Sequence, residues 1–585
     1  MTERFYLGFD LSTQQLKCLA INDKLTIVAS ESVEFDKDLS HYGTEKGIYK
    51  NGKTIDAPVA MWFEAIDLIF ERYKERKFPL EKVVGISGSC QQHGSVFWSE
   101  KADSLLKTLT ATKTLVEQLV PHSLTRKTAP NWQDHSTAMQ CDEMETAVGG
   151  MVEMAQITGS KAHFRFTGPQ ILKVAEDEHE NYDETSCISL VSSFLQSVLC
   201  GKLTPLEESD ACGMNLYDIE NHCYDKQLIS LIDSKNQGSD LTKKLLGDPI
   251  SSTKKPLWTA NVSDYFVKKY NVNALCSIYP FTGDNLATIC SLPLQKNDVL
   301  VSLGTSTTVL LVTDSYLPSP DYHMFIHPTI PRHYMAMICY CNGSLAREKV
   351  RDQLNNDNSG SWERFNKEVS SKDDKSSENE IGVYFSLDEI VPSVNAIHKR
   401  AKFDVSTGNI TEFVDKFEND SKNIVKSQAL SCRVRITPLL SNSLKGSTST
   451  GNGNIINYTS EKVKFDFSDL PLSDYMKARP NRVFFVGGAA KNDSLIKKYA
   501  AILGAKNGNF RFANTSNSCA LGGCYKALWS YLYNNEETTS EFDKFLNEKF
   551  NWEELEHFYD SNEEEWRSYS IYIKPLSHLE SSLSE

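Results

Sequence analysis

The chain has 585 residues, more than one hydrophobic core usually spans, so we expect two large domains with a ligand cleft between them. Apolar residues make up 40% and charged residues 24% of the sequence, which excludes a disordered or fibrous protein. The formal net charge of -15 repels polyanions, so neither nucleic acid nor an anionic membrane is expected as a partner. A small neutral substrate is compatible with this charge.

The sequence indicates a cytoplasmic protein. No segment reaches the roughly 18 apolar residues of a membrane span, and the first residues lack the basic and apolar parts of a secretory signal. The 14 cysteines are scattered without the paired spacing of a zinc site. We therefore expect reduced and mostly buried thiols.

Two β-hairpins with polar turns are predicted half a chain apart. The first covers residues 6–21, with a polar turn at 11–15, and the second covers residues 299–312 around a Gly-Thr-Ser-Thr turn. Such a duplication is the pattern of two related α/β domains that each present a hydroxyl-rich turn to a shared cleft. Coincidence is the alternative explanation for two hairpins in a large protein.

Other elements are predicted from their hydrophobic patterns. Residues 59–73 have helical spacing, and residues 83–87 form an apolar strand. Three stretches rich in Ser, Asn, Asp, Lys and Gly are expected to be surface insertions or loops, namely residues 354–360, 370–380 and 441–454. Residues 482–486 form a last strand, followed by Gly487 and Gly488 and by a helix from Ser494. This arrangement is typical of a nucleotide-binding loop.

Both hairpin turns have the composition of phosphate sites. Backbone N–H groups and small hydroxyls can converge on anionic oxygens, and glycine allows a close approach. The residues concerned are Ser12, Thr13 and Gln14 in the first turn and Gly304, Thr305 and Ser306 in the second. Each turn taken alone is better explained as an ordinary hairpin turn, where Gly, Ser and Thr are common.

Two carboxylates are candidates for metal binding and proton transfer. Asp10 ends an apolar strand beside the first turn and is suited to Mg²⁺, which prefers hard oxygen ligands; the alternative is that it caps the turn. Asp284 follows Gly283 at a predicted helix start, where it is a candidate general base, an N-cap, or both.

Two polar segments are candidates for binding a sugar or polyol, which needs several convergent hydrogen-bond partners. The first contains Gln92 and His93, and the second contains Asp134. A structural hydrogen bond is the alternative role for His93. The sequence has no P-loop, no protein-kinase motifs and no dinucleotide-binding G-x-G-x-x-G fingerprint, so a kinase of this sequence belongs to another superfamily.

Five segments in the same order resemble the FGGY family of carbohydrate kinases. They begin at Phe9, Gln91, Thr282, Ser302 and Val486, and together they span nearly the whole chain. Residues 91–94, 162–168 and 209–215 further resemble the sugar-binding segments of the eukaryotic branch that acts on xylulose.

The resemblance implies two actin-like (ribonuclease H-like) ATPase domains with a catalytic cleft between them. Residues 1–288 would form an N-terminal domain with the sugar site and part of the phosphate site, and residues 289–585 a C-terminal nucleotide-binding domain. The reaction implied is ATP-dependent phosphorylation of D-xylulose to D-xylulose 5-phosphate, which feeds the pentose phosphate pathway. The expected ligands are a ketopentose, ATP and Mg²⁺, and the expected assembly is a monomer or homodimer.

The resemblance also implies roles for individual residues. Asp284 corresponds to the general base that takes the proton from the O5 hydroxyl, and with Asp10 it would hold Mg²⁺ through water. His93, Arg165 and Asn285 correspond to sugar contacts. The nucleotide contacts correspond to four residues: Trp362, Gly487, Gly488 and Asn492.

The nucleotide side departs from the family pattern. Many members have a Pro-Tyr-x-x-Gly-Glu-Arg-x-Pro stretch after the second hairpin, whereas this chain has a different sequence at residues 384–392.

There are two alternatives to xylulose phosphorylation. One is the same chemistry on ribulose, an alditol or glycerol, and the other is an actin-like or chaperone-like ATPase without a sugar substrate.

Overall fold

The computed structural model describes residues 3–236, 238–356, 360–371, 379–416, 418–440, 456–459, 462–465, 478–512 and 517–584. Strands and helices alternate along the chain, as expected for an α/β protein. The strands are, in chain order, β1 Phe5–Leu11, β2 Gln15–Asn22, β3 Ile27–Glu34, β4 Tyr49–Asn51, β5 Thr54–Pro58, β6 Val83–Cys90, β7 Ser95–Ser99, β8 Thr128–Pro130, β9 Thr185–Leu190, β10 Tyr217–Asp218, β11 Cys223–Tyr224, β12 Ala260–Asn261, β13 Ser277–Ile278, β14 Thr282–Gly283, β15 Val299–Leu303, β16 Thr307–Thr313, β17 His323–Ile326, β18 Tyr334–Tyr340, β19 Glu380–Phe385, β20 Ile397–Phe403, β21 Ile410–Val414, β22 Ile456–Thr459, β23 Lys462–Phe465, β24 Val483–Val486, β25 Asn509–Phe512 and β26 Leu555–Tyr559.

The helices are, in chain order, α1 Phe35–Asp38, α2 Val59–Glu75, α3 Ala102–Lys107, α4 Leu115–Leu119, α5 Ala138–Val148, α6 Met151–Thr158, α7 Thr167–Asp177, α8 His179–Glu184, α9 Val191–Cys200, α10 Glu208–Ala211, α11 Lys226–Asp233, α12 Leu241–Lys244, α13 Asp264–Tyr270, α14 Asp284–Ile289, α15 Ser344–Leu354, α16 Glu363–Ser370, α17 Asp420–Leu440, α18 Asp493–Leu503, α19 Ser518–Asn534, α20 Phe542–Lys549, α21 Glu563–Ser568 and α22 Ile573–Ser581.

The chain divides into two compact units, but not into two continuous halves. Unit 1 comprises Met1–Leu294, Met324–His333 and Asn517–Asn551, and unit 2 comprises the intervening segments and the C-terminal Trp552–Glu585. The predicted boundary at 288/289 lies close to the first crossing point. The division into 1–288 and 289–585 nevertheless needs correction, because two later segments pack with the first unit.

The sheet of unit 1 contains the first predicted hairpin. Its strand order is β12-β13-β6-β1-β2-β3, with β14 also paired to β6. Strands β1 and β2 are antiparallel with Phe5 opposite Asn22 and Leu11 opposite Leu16, whereas β1 and β6 are parallel. The hairpin prediction is therefore confirmed to within a residue at the turn.

The sheet of unit 2 repeats this arrangement around the second hairpin. Its strands run in the order β18-β16-β15-β24-β25-β26. As in unit 1, three antiparallel neighbours, here β18, β16 and β15, are followed by two parallel additions, β24 and β25. The predicted duplication is thus present in the strand topology of the two units.

Helices α2 and α19 pack on the sheet of unit 1. Helix α2 matches the predicted helix at 59–73 and places the ring of Phe70 5.9 Å from that of Phe9 on β1. Helix α19 approaches β1 at Gly8, where a Cβ would lie 2.1 Å from the carbonyl oxygen of Ala520. Only glycine permits this contact, so helix α19, although far along the chain, is an integral layer of unit 1.

Predictions about cysteines, membrane spans and insertions have mixed outcomes. All 14 cysteines are free and most are buried, as expected. Within the described part of the chain, no helix is long and apolar enough to cross a bilayer. The region expected to be an insertion at 354–380 contains helix α16, whereas residues 441–454 lie outside the described residues.

Candidate active site

The predicted general base Asp284 and the predicted magnesium ligand Asp10 lie at one end of the sheet of unit 1. Asp10, near the end of β1, is the register partner of Ser89 on β6. Thr282 on β14 pairs with the same Ser89, and Asp284 follows directly after this short strand. Because the carboxyl ends of parallel strands open at the same edge of a sheet, the structure brings Asp10 and Asp284 together.

The two carboxyl groups are half-buried and affect each other electrostatically. Burial raises the pKa of Asp284 to about 7, and the charge of Asp10 adds to this rise, while hydrogen bonds from Asn285 oppose it. Burial raises the pKa of Asp10 to about 6, against a 3.0 Å hydrogen bond from Ser89 Oγ and the charge of Lys17. A carboxyl with a pKa near neutrality is suited to general-base catalysis.

The position of Asp284 in its helix corrects the N-cap interpretation. The N-cap of α14 is Gly283, and Asp284 is the first helical residue. Its Oδ1 accepts hydrogen bonds from the backbone N–H of Asn285 at 2.7 Å and from Asn285 Nδ2 at 2.9 Å. The carboxylate is therefore oriented by its neighbour rather than by capping the helix.

The first predicted phosphate turn is closed by hydrogen bonds to the carbonyl of Gln15. The N–H and the hydroxyl of Ser12 both donate to the carbonyl of Gln15, at 3.0 and 3.1 Å. The carbonyl of Gln14 accepts from the N–H of Phe35 at 2.9 Å, and Thr13 Oγ1 accepts from the indole N–H of Trp132 at 2.8 Å. These contacts hold a half-exposed turn directly after Asp10.

His93 is held rigidly on the predicted sugar side. Its Nδ1 lies 2.9 Å from the carbonyl oxygen of Gly213, and its ring stacks on Phe166 with centroids 4.1 Å apart. Because a carbonyl oxygen only accepts, Nδ1 carries the proton, and Nε2 of the neutral ring is an acceptor. A sugar hydroxyl can donate to such a nitrogen.

Three other predicted sugar contacts lie on the same unit, and a fourth has a different environment. Asn285 Nδ2 also donates to Gln92 Oε1 at 3.1 Å, and the half-exposed Arg165 places its guanidinium 5.9 Å from the ring centroid of Phe166. Asp134 is buried, and its carboxylate accepts four hydrogen bonds, from the Ile55 and Ser136 amides, the Ser136 hydroxyl and the Gln170 amide. These contacts favour a loop-stabilising role for Asp134 over the predicted sugar contact.

Three polar residues in this region were not predicted individually as site residues. Lys17 lies opposite Asp10 in the hairpin register, a position that the predicted turn length could have identified. Asp210 is buried and accepts from Ser192 Oγ at 2.6 Å; burial raises its pKa to about 7. It lies in the segment 209–215 that resembles a sugar-binding segment, and this resemblance could have identified it.

Gln91 is the third of these residues, and it begins the segment 91–94 that resembles a sugar-binding segment. Its Oε1 accepts from Asn131 Nδ2 at 2.6 Å, while among the described residues its buried Nε2 has no hydrogen-bond partner. A buried donor without an acceptor is unfavourable by about 1–3 kcal/mol, so a ligand oxygen would stabilise it.

The second phosphate turn lies in unit 2. The N–H of Gly304 donates to the carbonyl of Ser306 at 3.0 Å, and Thr305 and Ser306 are exposed. Gly343 packs against the turn, and a Cβ at this position would lie 2.7 Å from the carbonyl oxygen of Thr305. The turn therefore presents hydroxyl and backbone groups to solvent, as phosphate binding requires.

The predicted nucleotide-binding loop follows β24 in unit 2. Gly487 has φ of +91°, and a Cβ there would lie 2.6 Å from the carbonyl oxygen of Leu303, whereas a Cβ on Gly488 would meet no atom within 4 Å. Asn492 caps α18 by accepting from the N–H of Leu495 at 3.2 Å. The helix begins at Asp493, one residue before the predicted start.

Trp362 lies in the same unit as this loop. The guanidinium of Arg351 lies 4.6 Å from the centroid of its ring, and Phe365 packs edge-on against it. Asn366, on the helix that follows Trp362, accepts a 2.8 Å hydrogen bond from Asn492 Nδ2. This bond ties the segment of Trp362 to the start of α18.

The acidic pair of unit 1 fits a magnesium ion. Among the residues that the structure describes, no three His, Cys, Asp or Glu side chains converge as a metal site. Mg²⁺ commonly takes one or two carboxylates and completes its shell with water and phosphate oxygens. Asp10 and Asp284 supply two such groups, and a cation would offset the charge of Asp10, which adds to the rise that burial causes in the pKa of Asp284.

Comparisons with known proteins identify the family of this chain. Residues 127–243 match the FGGY family of carbohydrate kinases, N-terminal domain. The chain is 57% identical to the xylulose kinase of Saccharomyces cerevisiae over 592 residues, covering 99% of this chain and 97% of that protein. It is 41% identical to the xylulose kinase of Schizosaccharomyces pombe, covering 94% and 92% of the two chains.

Solved structures show the same fold. A xylulose kinase from Bifidobacterium adolescentis superposes with a TM-score of 0.69 at 18% identity, covering 97% of this chain and 99% of that one. A xyloylose kinase from Brucella ovis gives a TM-score of 0.72 at 15% identity, covering 99% of both chains. The identity to the yeast enzymes over nearly the full length places the protein in the FGGY family of carbohydrate kinases, among the fungal xylulose kinases.

Proposed function

We propose that this protein transfers the γ-phosphoryl group of ATP to D-xylulose and forms D-xylulose 5-phosphate, a product that enters the pentose phosphate pathway. The observation that carries the proposal is the Asp10–Asp284 pair beside the polar groups of His93 and Asn285 in unit 1. We place the enzyme in the cytoplasm, as a monomer or homodimer.

Asp284 acts as the general base in this proposal. Its pKa of about 7 leaves a substantial fraction ionised at neutral pH, and the ionised carboxylate can accept the proton of the O5 hydroxyl. His93 Nε2 and the amide of Asn285 orient the sugar, and Arg165 donates to its hydroxyls. Asn285 also holds the carboxylate of Asp284 in one orientation.

Asp10 and Asp284 would hold Mg²⁺, in part through water. When bound, the ion neutralises charge on the phosphate oxygens of ATP and helps to align them. Lys17, opposite Asp10, and the turn of Ser12, Thr13 and Gln14 supply positive charge and hydrogen-bond donors for the phosphoryl group.

Residues of unit 2 bind the nucleotide in this proposal. The turn of Gly304, Thr305 and Ser306 contacts phosphate oxygens, and Gly488 leaves room for the adenosine. Trp362 and Asn492 are nucleotide contacts in this proposal, and the hydrogen bond between Asn492 and Asn366 links their two segments. A loose phosphoryl transition state requires little covalent participation by the protein, so positioning contributes more than basicity.

A coupled assay of ADP release tests the function. Purified protein with ATP and Mg²⁺ is offered D-xylulose, D-ribulose, alditols and glycerol, and xylulose should give the highest kcat/KM. A higher kcat/KM for another member of the panel would reassign the substrate. ATP hydrolysis that does not respond to any sugar would instead identify an ATPase and overturn the kinase proposal.

A further inference from the structure

A chain of side-chain hydrogen bonds leads from Asp284 to Asp210, a buried acid in the segment 209–215 for which no individual role is predicted from the sequence. Asn285 Nδ2 donates to Asp284 Oδ1 at 2.9 Å and to Gln92 Oε1 at 3.1 Å. Gln92 Nε2 in turn donates to Asp210 Oδ1 at 3.4 Å. Two primary amides thus connect two carboxylates, all within unit 1.

The donors and acceptors along this chain of hydrogen bonds have a fixed order. An ionised carboxylate only accepts hydrogen bonds, so Asp210 selects the orientation of Gln92 in which Nε2 faces it. Gln92 then presents the acceptor Oε1 to Asn285, and Asn285 must donate to it from Nδ2. The two hydrogens of that nitrogen are used by Gln92 and Asp284, and the amide oxygen of Asn285 is left to accept from a sugar hydroxyl.

Asp210, at the far end of this chain of hydrogen bonds, is held rigidly. Asp210 is 3% exposed, and its second oxygen accepts from Ser192 Oγ at 2.6 Å. Its backbone N–H donates to Glu207 Oε2 at 3.0 Å, and Thr282 Oγ1, two residues before Asp284, donates to the same oxygen at 2.8 Å. Glu207 therefore ties the backbone of Asp210 to the strand that precedes Asp284.

Gln92, in the middle of this chain of hydrogen bonds, is equally confined. A Cβ added to Gly283 would lie 2.5 Å from Cγ and Nε2 of Gln92. The side chain of Gln92 thus packs directly on the residue before Asp284 and has little freedom to move away. Rotation of its amide about the last bond is the remaining freedom, and the acceptor at Asp210 selects between the two orientations.

We propose that Asp210 is a positioning residue for phosphoryl transfer: through Gln92 it fixes the amide of Asn285 with its N–H groups toward Asp284 and its oxygen toward the sugar. The inference deepens the proposed function and rests on it for the role of Asp284. Asp210 itself contacts neither substrate nor metal in this proposal.

A charge swap tests the direction of the chain. Gln92→Glu places an acceptor against the acceptor of Asp210, so kcat/KM for xylulose should fall at least 10-fold. Adding Asp210→Asn to that variant restores a donor opposite the new carboxylate, which then accepts from both the introduced amide and Asn285, and kcat/KM should rise about 5-fold or more. In the wild-type background the same Asp210→Asn change should lower kcat/KM, because an amide at position 210 no longer selects one orientation of Gln92.

This reversal of sign between backgrounds is the result that a merely space-filling residue would not produce. The assays belong at about pH 8, above the pKa of about 7 of the Asp210 carboxyl, so that it is ionised. If Asp210→Asn fails to raise kcat/KM in the Gln92→Glu background, or if Gln92→Glu has no effect, the proposal is overturned.

A matched control and a second readout complete the experiment. Gln140 is a buried glutamine whose Nε2 donates to Glu176 at 2.8 Å, so Gln140→Glu repeats the acceptor clash elsewhere in unit 1. That variant should keep its kcat/KM, and Asp210→Asn should not improve it. The thermal unfolding midpoint should show the same reversal of sign at residues 92 and 210.

The unfolding cycle separates this inference from the proposed function. If the wild-type protein does not turn over xylulose, the proposed function fails, and the unfolding midpoints alone then decide whether the directional chain exists. Additive midpoint shifts would overturn it.

Discussion

The site depends on single residues whose environment differs strongly from water, and Asp284 is the clearest of them. Its carboxyl is half-buried, faces the charge of Asp10 and is oriented by two hydrogen bonds from Asn285. Burial and a like charge both disfavour ionisation, so the raised pKa is a direct consequence of placing two acids at one sheet edge.

Asp284→Asn should abolish sugar phosphorylation while the fold is retained. General-base catalysis contributes about 10²–10⁴-fold, so kcat should fall at least about 100-fold. The unfolding midpoint should be unchanged or higher, because the substitution removes a half-buried carboxyl that repels Asp10. Steady-state kinetics and a thermal melt check both parts, and normal turnover would eliminate Asp284 as the base.

His327 gives a prediction about pH and stability. Its buried Nδ1 accepts from the N–H groups of Thr329 and Ile330 at 3.2 and 3.1 Å, and burial lowers its pKa to about 3. Because the unfolded imidazole has a pKa of about 6.5, unfolding takes up a proton below that pH, and stability falls as pH decreases.

Between pH 7 and 5.5 this residue should account for about 1 kcal/mol of lost stability. His327→Asn keeps an acceptor but cannot titrate, so its unfolding free energy should fall less over the same interval. Urea unfolding of both proteins at several pH values measures the difference. Parallel pH profiles would contradict the assignment.

At the scale of elements, the two hairpins show how one local pattern serves both units. In each unit a hairpin of antiparallel strands ends in a polar turn and is followed by parallel strands on one side. The turns are short, so their hydrogen bonds come from their own backbone and from adjacent loops, as at Ser12 and Gly304.

The loop after β24 allows two adjacent glycines to be distinguished. Gly487→Ala should destabilise the protein by about 2 kcal/mol, because φ of +91° is unfavourable for alanine and its Cβ would contact the carbonyl of Leu303. Gly488→Ala should leave stability unchanged, since its Cβ would meet no protein atom, but should raise the KM for ATP.

Chemical unfolding and ATP titration of both variants provide the measurements. Xylulose KM at saturating ATP serves as the control and should not change in Gly488→Ala. An unchanged KM for ATP in that variant would remove Gly488 from the nucleotide site.

At the scale of the whole molecule, the units are assembled from distant parts of the chain. Helix α19 packs on β1 and on α14 in unit 1, where a Cβ on Gly522 would lie 1.9 Å from the carbonyl oxygen of Ala287. The segment Met324–His333 also belongs to this unit, with the N–H of Met324 donating to the carbonyl of Gly159 at 2.9 Å.

A fragment of residues 1–294 should therefore not fold cooperatively. It lacks α19 and so exposes the apolar face of β1 and β6 that this helix covers, which favours aggregation. Joining residues 517–551 to the fragment through a flexible linker should restore a cooperative transition in part. Circular dichroism melts compare the two, and equal cooperative melting would show that α19 is dispensable.

The sequence by itself determined much of the local structure and the family. Alternating apolar residues and polar turns predicted both hairpins, the helix at 59–73 and the strand before Gly487, because these patterns arise from neighbours along the chain. Ordered motifs led to the FGGY resemblance, which the yeast relatives confirm. The assignments of individual catalytic and binding residues stay predictions.

Only the tertiary structure decided which distant residues meet. It placed α19 in unit 1, gave Asp134 four hydrogen bonds from Ile55, Ser136 and Gln170, and brought Asp210 to Gln92 across 118 positions. It also set the raised pKa values of Asp10 and Asp284, since desolvation depends on what packs around a carboxyl and not on its neighbours in sequence.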